Sequence, residues 1–588
     1  MSRGSLRLVL VIFLGLVAGG AAGQDVESFW SGIRDRVGEG DVVRVSGSLG
    51  ASAALNAFAS SAGATRRNAP FTWGANASLN FDVLGVQAPF SLAVASRNTR
   101  YNLPSYSFAG LSPTYRWITL HAGDRAMSFS PYSLSGIGFR GGGVELRPGR
   151  WHVMAMGGRL RAERAADVTS IQSGIALRGS REAYGAKVGY GAEGGSSIAA
   201  SVFSSGDEVT GVPPDSLGVG DPPERNVVLT LEGSVRVGPA VSLTAEVARS
   251  AFTRDRRSPA LDDTGVAVDL GGLLQARTTT QAASAGKVGV TFAPGFGQFG
   301  LTYERIGAEY RTHGSLFLLG DVENATASLA VPLFSDVLTV NATGGVQRND
   351  LDGDQAAALR RLIGSLALTL TPSERLTASA SVSNLSTTNR YKAQTLLAGS
   401  PDSLVLAQAQ LSADASLTLT LDEARAHGLT VQGSVQRADL IRDGQVDPAQ
   451  QSTFGLASAT YAYAPEGAAG SASAALVYNR TETSDAVVTT LGPSVNYSRT
   501  LLAERARLSL AATYGLNRAE TTVPADDPNA PAAGPTEAHT LRLNLGASYA
   551  LGERQSLGLA GSLLRVGTTQ QRPGFVDTQL GLTYGLSF

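Results

Sequence analysis

The chain has no cysteine among its 588 residues. Disulfides, thiolate metal sites and a lipid-modified cysteine are therefore excluded. Lysine is close to missing: Lys187, Lys287 and Lys392 are the whole supply, and arginine provides the remaining basic charge. Neither sign of charge is in excess. The formal net charge is −1, and without Arg3 and Arg7 near the N-terminus 46 basic residues face 49 acidic ones. Such a balance creates no strong field for a polyanion, so no nucleic-acid partner is expected. Beyond the N-terminal segment, no stretch reaches the roughly 18–20 apolar residues of a membrane-crossing helix. Catalytic signatures are missing too. There is no Gly-x-Ser-x-Gly and no glycine-rich phosphate loop leading from a strand into a helix. The five histidines, His121, His152, His313, His427 and His539, include no pair at i, i+4, and zinc is not expected. Neither an enzyme nor a cofactor is implied.

What the chain has in quantity is glycine, 69 residues, and alternation. Its mean hydropathy is near zero, far below that of a helical membrane protein. Phe71, Trp73, Ala75, Ala77, Leu79, Phe81 and Val83 alternate with Thr72, Gly74, Asn76, Ser78, Asn80 and Asp82. A period of two with one oily face is a strand between an apolar and a wet phase. Leu417–Leu421, Leu508–Leu516 and Leu541–Leu551 repeat the pattern, with Tyr514 and Tyr549 on the apolar faces, where interface residues of a membrane girdle would stand.

The N-terminus reads as a secretory signal peptide over residues 1–23. Arg3 and Arg7 stand at the start of an apolar run from Leu8 to Val17, and small residues follow, with Ala21 and Gly23 at the −3 and −1 positions before Gln24. Residues 24–41 form a short segment in which Val26, Phe29, Trp30, Ile33 and Val37 recur at helical spacing. Residues 42–588 carry one uninterrupted strand–turn texture. At the other end, Val576, Thr578, Leu580, Leu582, Tyr584, Leu586 and Phe588 share one face, and the chain stops on Phe588. This ending resembles the closing strand of bacterial outer-membrane β-barrels, whose last residue is usually Phe and whose alternate preceding residues are apolar or aromatic. The resemblance implies an outer-membrane location in a Gram-negative-type bacterium. It also implies contact with outer-membrane lipid, and recognition of Tyr584, Leu586 and Phe588 by the barrel-assembly machinery.

Short turns, such as Arg147–Gly149, Val237–Ala240, Phe334–Asp336 and Gly552–Arg554, alternate with long polar loops. The long loops include Arg161–Arg178, Gly206–Glu224, Thr253–Gln281 and Glu520–Ala538. Short periplasmic turns and long outer loops are the outer-membrane arrangement. The expected fold is all-β: a single antiparallel up-and-down transmembrane barrel of about 26 strands, roughly 22 to 28 being acceptable. An even number places both termini in the periplasm, and the first strand near Val43–Ala57 then pairs with the last. Gln355–Ile363, with its run of alanines, reads as helical at a loop end.

Two segments suggest sites. Tyr115–Glu145 resembles the strand–loop–strand element of porin-type barrels whose loop folds into the lumen. That likeness makes Asp124, Arg125, Arg140 and Glu145 candidates for a charged constriction, with Gly141, Gly142 and Gly143 letting the loop pack closely. The alternative is an ordered outer loop with a local ion pair. Asp350, Asp352 and Asp354 could offer oxygens to Ca²⁺, although the spacing lacks the downstream Glu of an EF-hand and a solvated acidic loop explains it as well.

A ring of that size is about 50 Å across at ~4.8 Å strand spacing and ~40° tilt, and something must narrow it. Few residues precede the first strand, which disfavours the plug of TonB-dependent receptors, and no passenger or periplasmic domain is evident. Inward loops, chiefly Thr253–Gln281 and Tyr115–Glu145, or a periplasmic or lipoprotein plug would do so. The leading expectation is a channel or export conduit for solutes or polymers. The alternative is a non-conducting structural or partner-binding barrel of an envelope or secretion complex.

Overall fold

A computed structural model of the chain describes residues 43–60, 69–83, 86–96, 108–162, 179–192, 194–208, 221–261, 270–392, 403–442, 445–521, 535–569 and 573–588. The expected signal peptide and N-terminal amphipathic segment, and most of the long loops, lie outside these residues. The described chain is almost entirely strand, with one short 3-10 turn at Pro448–Gln450.

The 28 strand segments form one sheet. Two of them, Phe108–Leu111 and Thr114–Tyr115, share a single position between Val86–Ala95 and Ile118–Ala126. A third, Gln445–Val446, folds back on the end of His427–Arg442 while the ring continues directly to Ser452–Tyr463. The result is a closed antiparallel barrel of 26 strands. Closure is made by the first strand, Val43–Ser60, against the last, Phe575–Ser587, in the register Ser48↔Ser587 to Ser60↔Phe575. The expected strand number and the expected partners both hold.

In an antiparallel ladder, directly opposed residues share a face, so the register sorts side chains into two sets around the ring. One set is apolar and exposed. Along the seam it contains Leu49 opposite Leu586, Ala51 opposite Tyr584, Ala53 opposite Leu582 and Leu55 opposite Leu580. Leu582 is 47 % exposed and Leu231, Val247 and Val288 are about half exposed elsewhere in the ring. The other set is small and polar, with glycines. It faces the concave side, because the segment 127–137 packs on it as a chord (below).

Aromatic residues on the apolar face gather near both rims. Trp151, Tyr190, Phe292, Phe299, Tyr461, Tyr463 and Tyr549 lie toward the short-turn end, and Trp73, Tyr184, Tyr303, Tyr478 and Tyr514 toward the long-loop end; all are exposed. Trp151 and Tyr190 meet edge-on at 5.0 Å. Amphipathic rings at two levels around an apolar band are the girdles of a bilayer-sized exterior.

Hairpin turns at the short end are tight. Val322–Leu333 and Leu338–Arg348 are joined through Phe334, Ser335 and Asp336, all at positive φ. The segment Gln355–Ile363 corrects its helical reading. Ala357–Ser373 is a strand, paired with Leu338–Arg348 on one side and Leu376–Lys392 on the other. Helix propensity in Ala-Ala-Ala-Leu-Arg-Arg is worth tenths of a kcal/mol per residue, and two ladders of backbone hydrogen bonds outweigh it.

Candidate lumenal site

The segment 127–137, between Ile118–Ala126 and Gly138–Leu146, leaves the wall and crosses the inner face. Phe129 packs over Gly185, where a Cβ would lie 2.4 Å from the ring, and Met127 over Gly143, where the corresponding distance to its sulfur is 2.5 Å. Met127, Phe129, Tyr132 and Leu134 form one buried cluster with Phe203, Val228, Ala248, Ala285 and Ile306. These wall residues belong to strands from Ser197–Asp207 round to Gln298–Ile306. Only a chord on the concave side can reach them together.

Polar groups fix the chord. Lys187 Nζ donates to Phe129 O at 2.5 Å and pairs with Glu232. Ser130 donates to Glu246, and Tyr132 Oη donates to Glu304 Oε1 at 2.5 Å. Burial, with Glu304 adding to it, pushes the Tyr132 phenol far above its ordinary value, so it stays a donor.

A second segment, 307–321, enters beside it. Its neck is pinched by Asp321 N donating to Gly307 O at 3.0 Å. Its body meets the first segment through a parallel bridge, Leu134↔Gly314. Tyr310 Oη donates to Tyr132 O at 2.8 Å, and Thr312 Oγ1 to Ser133 O at 2.7 Å. The wall holds it through Asn226 and Ser250, which donate to Arg311 O, and through His313. His313 bonds Ser205 Oγ at 2.8 Å and Glu224 Oε2 at 3.1 Å.

Arg181 grips Glu224 at 2.6 Å and Asp207 with two bonds of 2.6 and 2.8 Å. Burial works to raise Glu224, but the His313 hydrogen bond and the Arg181 charge outweigh it and hold the carboxyl down to about 2. Burial lowers His313, against the opposing pull of Glu224. The imidazole is therefore neutral near pH 7, and Arg181 is the cation that Glu224 answers. Ser205, His313 and Glu224 have the connectivity of a hydrolytic relay, but Ser205 is buried beneath the segment and serves as an anchor. Ser112, His121 and Glu145 form a second set, at 2.9 and 3.2 Å, along the inner wall.

The four charged candidates separate by face. Arg125 and Glu145 point inward: Arg125 lies across Gly110 to reach Ser91 Oγ and Pro89 O, and Glu145 meets His121 and Arg147. Asp124 and Arg140 point outward, on the face of the half-exposed Leu120, and bind each other at 2.6 and 2.8 Å. A transverse field from all four is therefore not built. The charges that do line the chord are Lys187, Glu232, Glu246, Lys287 and Glu304, neighbours across successive strands. Their parity with the inner glycines was the sequence signal for them.

The loop between Val241–Thr253 and Thr280–Phe292 corrects a second expectation. Its described part does not fold inward: Leu270 and Leu274 pack on Val227 and Ala251, on the face opposite Val228 and Ala248. Asp350 Oδ1 accepts from Gln355 N at 2.7 Å, and Asp321 collects the N–H groups of Asp350 and Leu351. Among the described residues no three His, Asp or Glu side chains converge as metal ligands.

The half of the ring from Ala357–Ser373 to Phe575–Ser587 differs in chemistry. Its inner face carries hydroxyl and amide ladders: Ser379 with Ser416, Ser383 with Ser412, Ser471 with Ser498, and Thr490 and Thr540 with Asn517. Its inward aromatic pair, Phe58 with Phe575 at 5.6 Å, stands at the long-loop end of the seam.

Closed register, apolar exterior and polar interior define the class: the chain has the architecture of the large bacterial outer-membrane β-barrels. No protein-family model matches it, and no curated protein does. Solved structures similar to it include the ferric enterobactin receptor PfeA of Pseudomonas aeruginosa, at 11 % identity over 92 % of this chain and 81 % of that one, TM-score 0.42. The P pilus usher PapC translocation pore is 11 % identical over 92 % and 99 %, TM-score 0.35. OccAB2 of Acinetobacter baumannii is 9 % identical over 62 % and 93 %, TM-score 0.27. These likenesses are loose, and the strand register defines the architecture without them.

Proposed function

We propose that the chain is an outer-membrane channel for small hydrophilic solutes, narrowed by its own segments 127–137 and 307–321. The observation that carries this reading is the asymmetry of the interior. One sector is filled by two interlocked segments with buried charges, while the opposite wall presents mostly hydroxyls and amides, with separate charges such as Asp414, Arg542 and Asp577 set among them. A path between them would exchange hydrogen bonds with a hydrated, uncharged solute at little net cost. The apolar exterior between two aromatic levels supports a bilayer setting. The start of the first strand and the end of the last, paired at Gly47 and Phe588, lie at the short-turn rim, and we assign that rim to the periplasm. Tyr584, Leu586 and Phe588, on the outer face of the closing strand, are the residues we assign to recognition by the assembly machinery, after removal of residues 1–23 as a signal peptide.

Swelling of vesicles containing the purified protein tests this reading. Neutral sugars should enter, with a size cut-off that rises when 127–137 is replaced by a short glycine turn. Vesicles that admit no solute with or without that segment would favour a non-conducting barrel filled by a partner.

A further inference from the structure

We infer that the outer face at the long-loop end carries a binding site for a phosphorylated membrane-lipid headgroup, built by Arg225, Arg256 and Arg277. This inference rests on the membrane reading of the exterior and extends it. Arg225 opens the strand Arg225–Val237 and stands opposite Gly206 on one side and Thr253 on the other. By parity it shares the outer face with Leu231 and Val235, both about half exposed. The side chains of Arg225 and Arg256 meet over Gly206, whose missing Cβ would lie 3.9 Å from Arg225 Cγ and 3.7 Å from Arg256 Nη1. Arg256 and Arg277 are the charges that bear on Arg225, and both repel it.

Arg225 and Arg256 held together over Gly206, with Arg277 near enough to repel Arg225, need a counter-charge. The carboxylates nearby are committed elsewhere: Asp207 to Arg181 and Arg161, Glu224 to Arg181 and His313, and Asp255 to Arg257. Arg256 donates to the backbone oxygen of Asp207 and Arg277 to that of Ser258 at 2.5 Å; neither bond neutralises charge. None of the three forms an ion pair among the described residues, and Arg225 Nε is buried with no hydrogen-bond partner. Several other outer-face charges on this rim are internally matched, as in Asp124–Arg140, Glu323–Arg348 and Arg437–Asp439.

Guanidinium forks match the tetrahedral oxygens of a phosphate. The height of the cluster selects the source. It lies on the outer face at the long-loop end of its strand, beyond the exposed Leu231 and Val235, at the rim expected to meet lipid phosphates, and on the side of the wall away from the lumen through which a permeating anion would pass. Loop residues Leu270 and Leu274, packed on Val227 and Ala251, border the site on its membrane side.

The test compares the wild type with R225Q/R256Q/R277Q, and R256Q alone guards against a triple variant that fails to form a barrel. Each is inserted into phosphatidylcholine vesicles with and without phosphatidylglycerol, and a third arm adds inorganic phosphate to phosphatidylcholine. Barrel formation is read by gel migration before and after heating. The wild type should retain phosphatidylglycerol through mild detergent extraction about tenfold better than the triple variant, with R256Q between. The control R140Q, on the same rim and paired with Asp124, should match the wild type. Equal retention by wild type and triple variant would overturn the site. Saturation of the wild type by inorganic phosphate, with no preference for phosphatidylglycerol, would overturn the lipid as its ligand. Failure of the wild type to insert into any vesicle would instead overturn the membrane reading.

Discussion

Phe588 and Gly47 exchange two backbone hydrogen bonds: Phe588 N donates to Gly47 O at 3.0 Å, and Gly47 N to Phe588 O at 2.7 Å. These bonds extend the seam one pair beyond Ser48↔Ser587. Gly47 sits at φ 149°, with the Ser78 carbonyl oxygen 2.2 Å from where a Cβ would stand. A side chain there must push the second strand away from the first. We expect Gly47→Val to destabilise the closed ring by about 1–3 kcal/mol. It should also reduce the heat-modifiable band on a gel, whereas Ser48→Ala should leave that band unchanged.

The outer and inner faces of the closing strand should respond differently to charge. Leu582→Arg, on the exposed apolar face, should cost about 2–4 kcal/mol in vesicles. Gln579→Arg, on the inner face of the same strand, should cost less than about 1 kcal/mol. Denaturant unfolding from vesicles measures both, and equal costs would contradict the assignment of faces.

Lys187 joins the wall to the chord through Phe129 O and Glu232. Lys187→Met leaves a half-buried carboxylate without its cation, a change that costs about 3 kcal/mol. The expected outcome is an unchanged barrel on the gel with new protease cleavage near residues 127–137.

Acid should loosen the second segment. Glu224 is held below the ordinary carboxylate range, so its contribution is complete above about pH 4.3 and disappears as pH falls toward 2. His313 is lowered by burial, so its neutral form also stabilises docking above about pH 6.5, and that contribution fades as pH falls. Unitary conductance should therefore rise on acidification. In Glu224→Gln the step between about pH 4 and 2 should vanish.

Much of this was legible in the alternation. Phe71–Val83 and Phe575–Ser587 are strands over the residues their stripes marked, and their apolar faces are the exposed ones. Parity alone also separates Asp124, which travels with Leu120, from Arg125, which travels with His121. The helical look of Gln355–Ile363 failed because propensity is local and sheet pairing is not. The inward course of 127–137 was expected from the likeness of Tyr115–Glu145 to a porin-type strand–loop–strand element, yet the partners of Tyr132 and Ser130 lie on strands more than a hundred residues away. No local pattern encodes contacts of that separation. The outward packing of Leu270 and Leu274 was missed for the same reason.

The most direct test is the conductance of the purified protein in a planar bilayer, beside a variant in which residues 127–137 are replaced by a short glycine turn. A self-narrowed channel predicts discrete steps for the wild type and steps at least about twofold larger for the variant, because the path widens where the chord is removed. Silent membranes for both proteins, with each barrel intact on a gel, would contradict it.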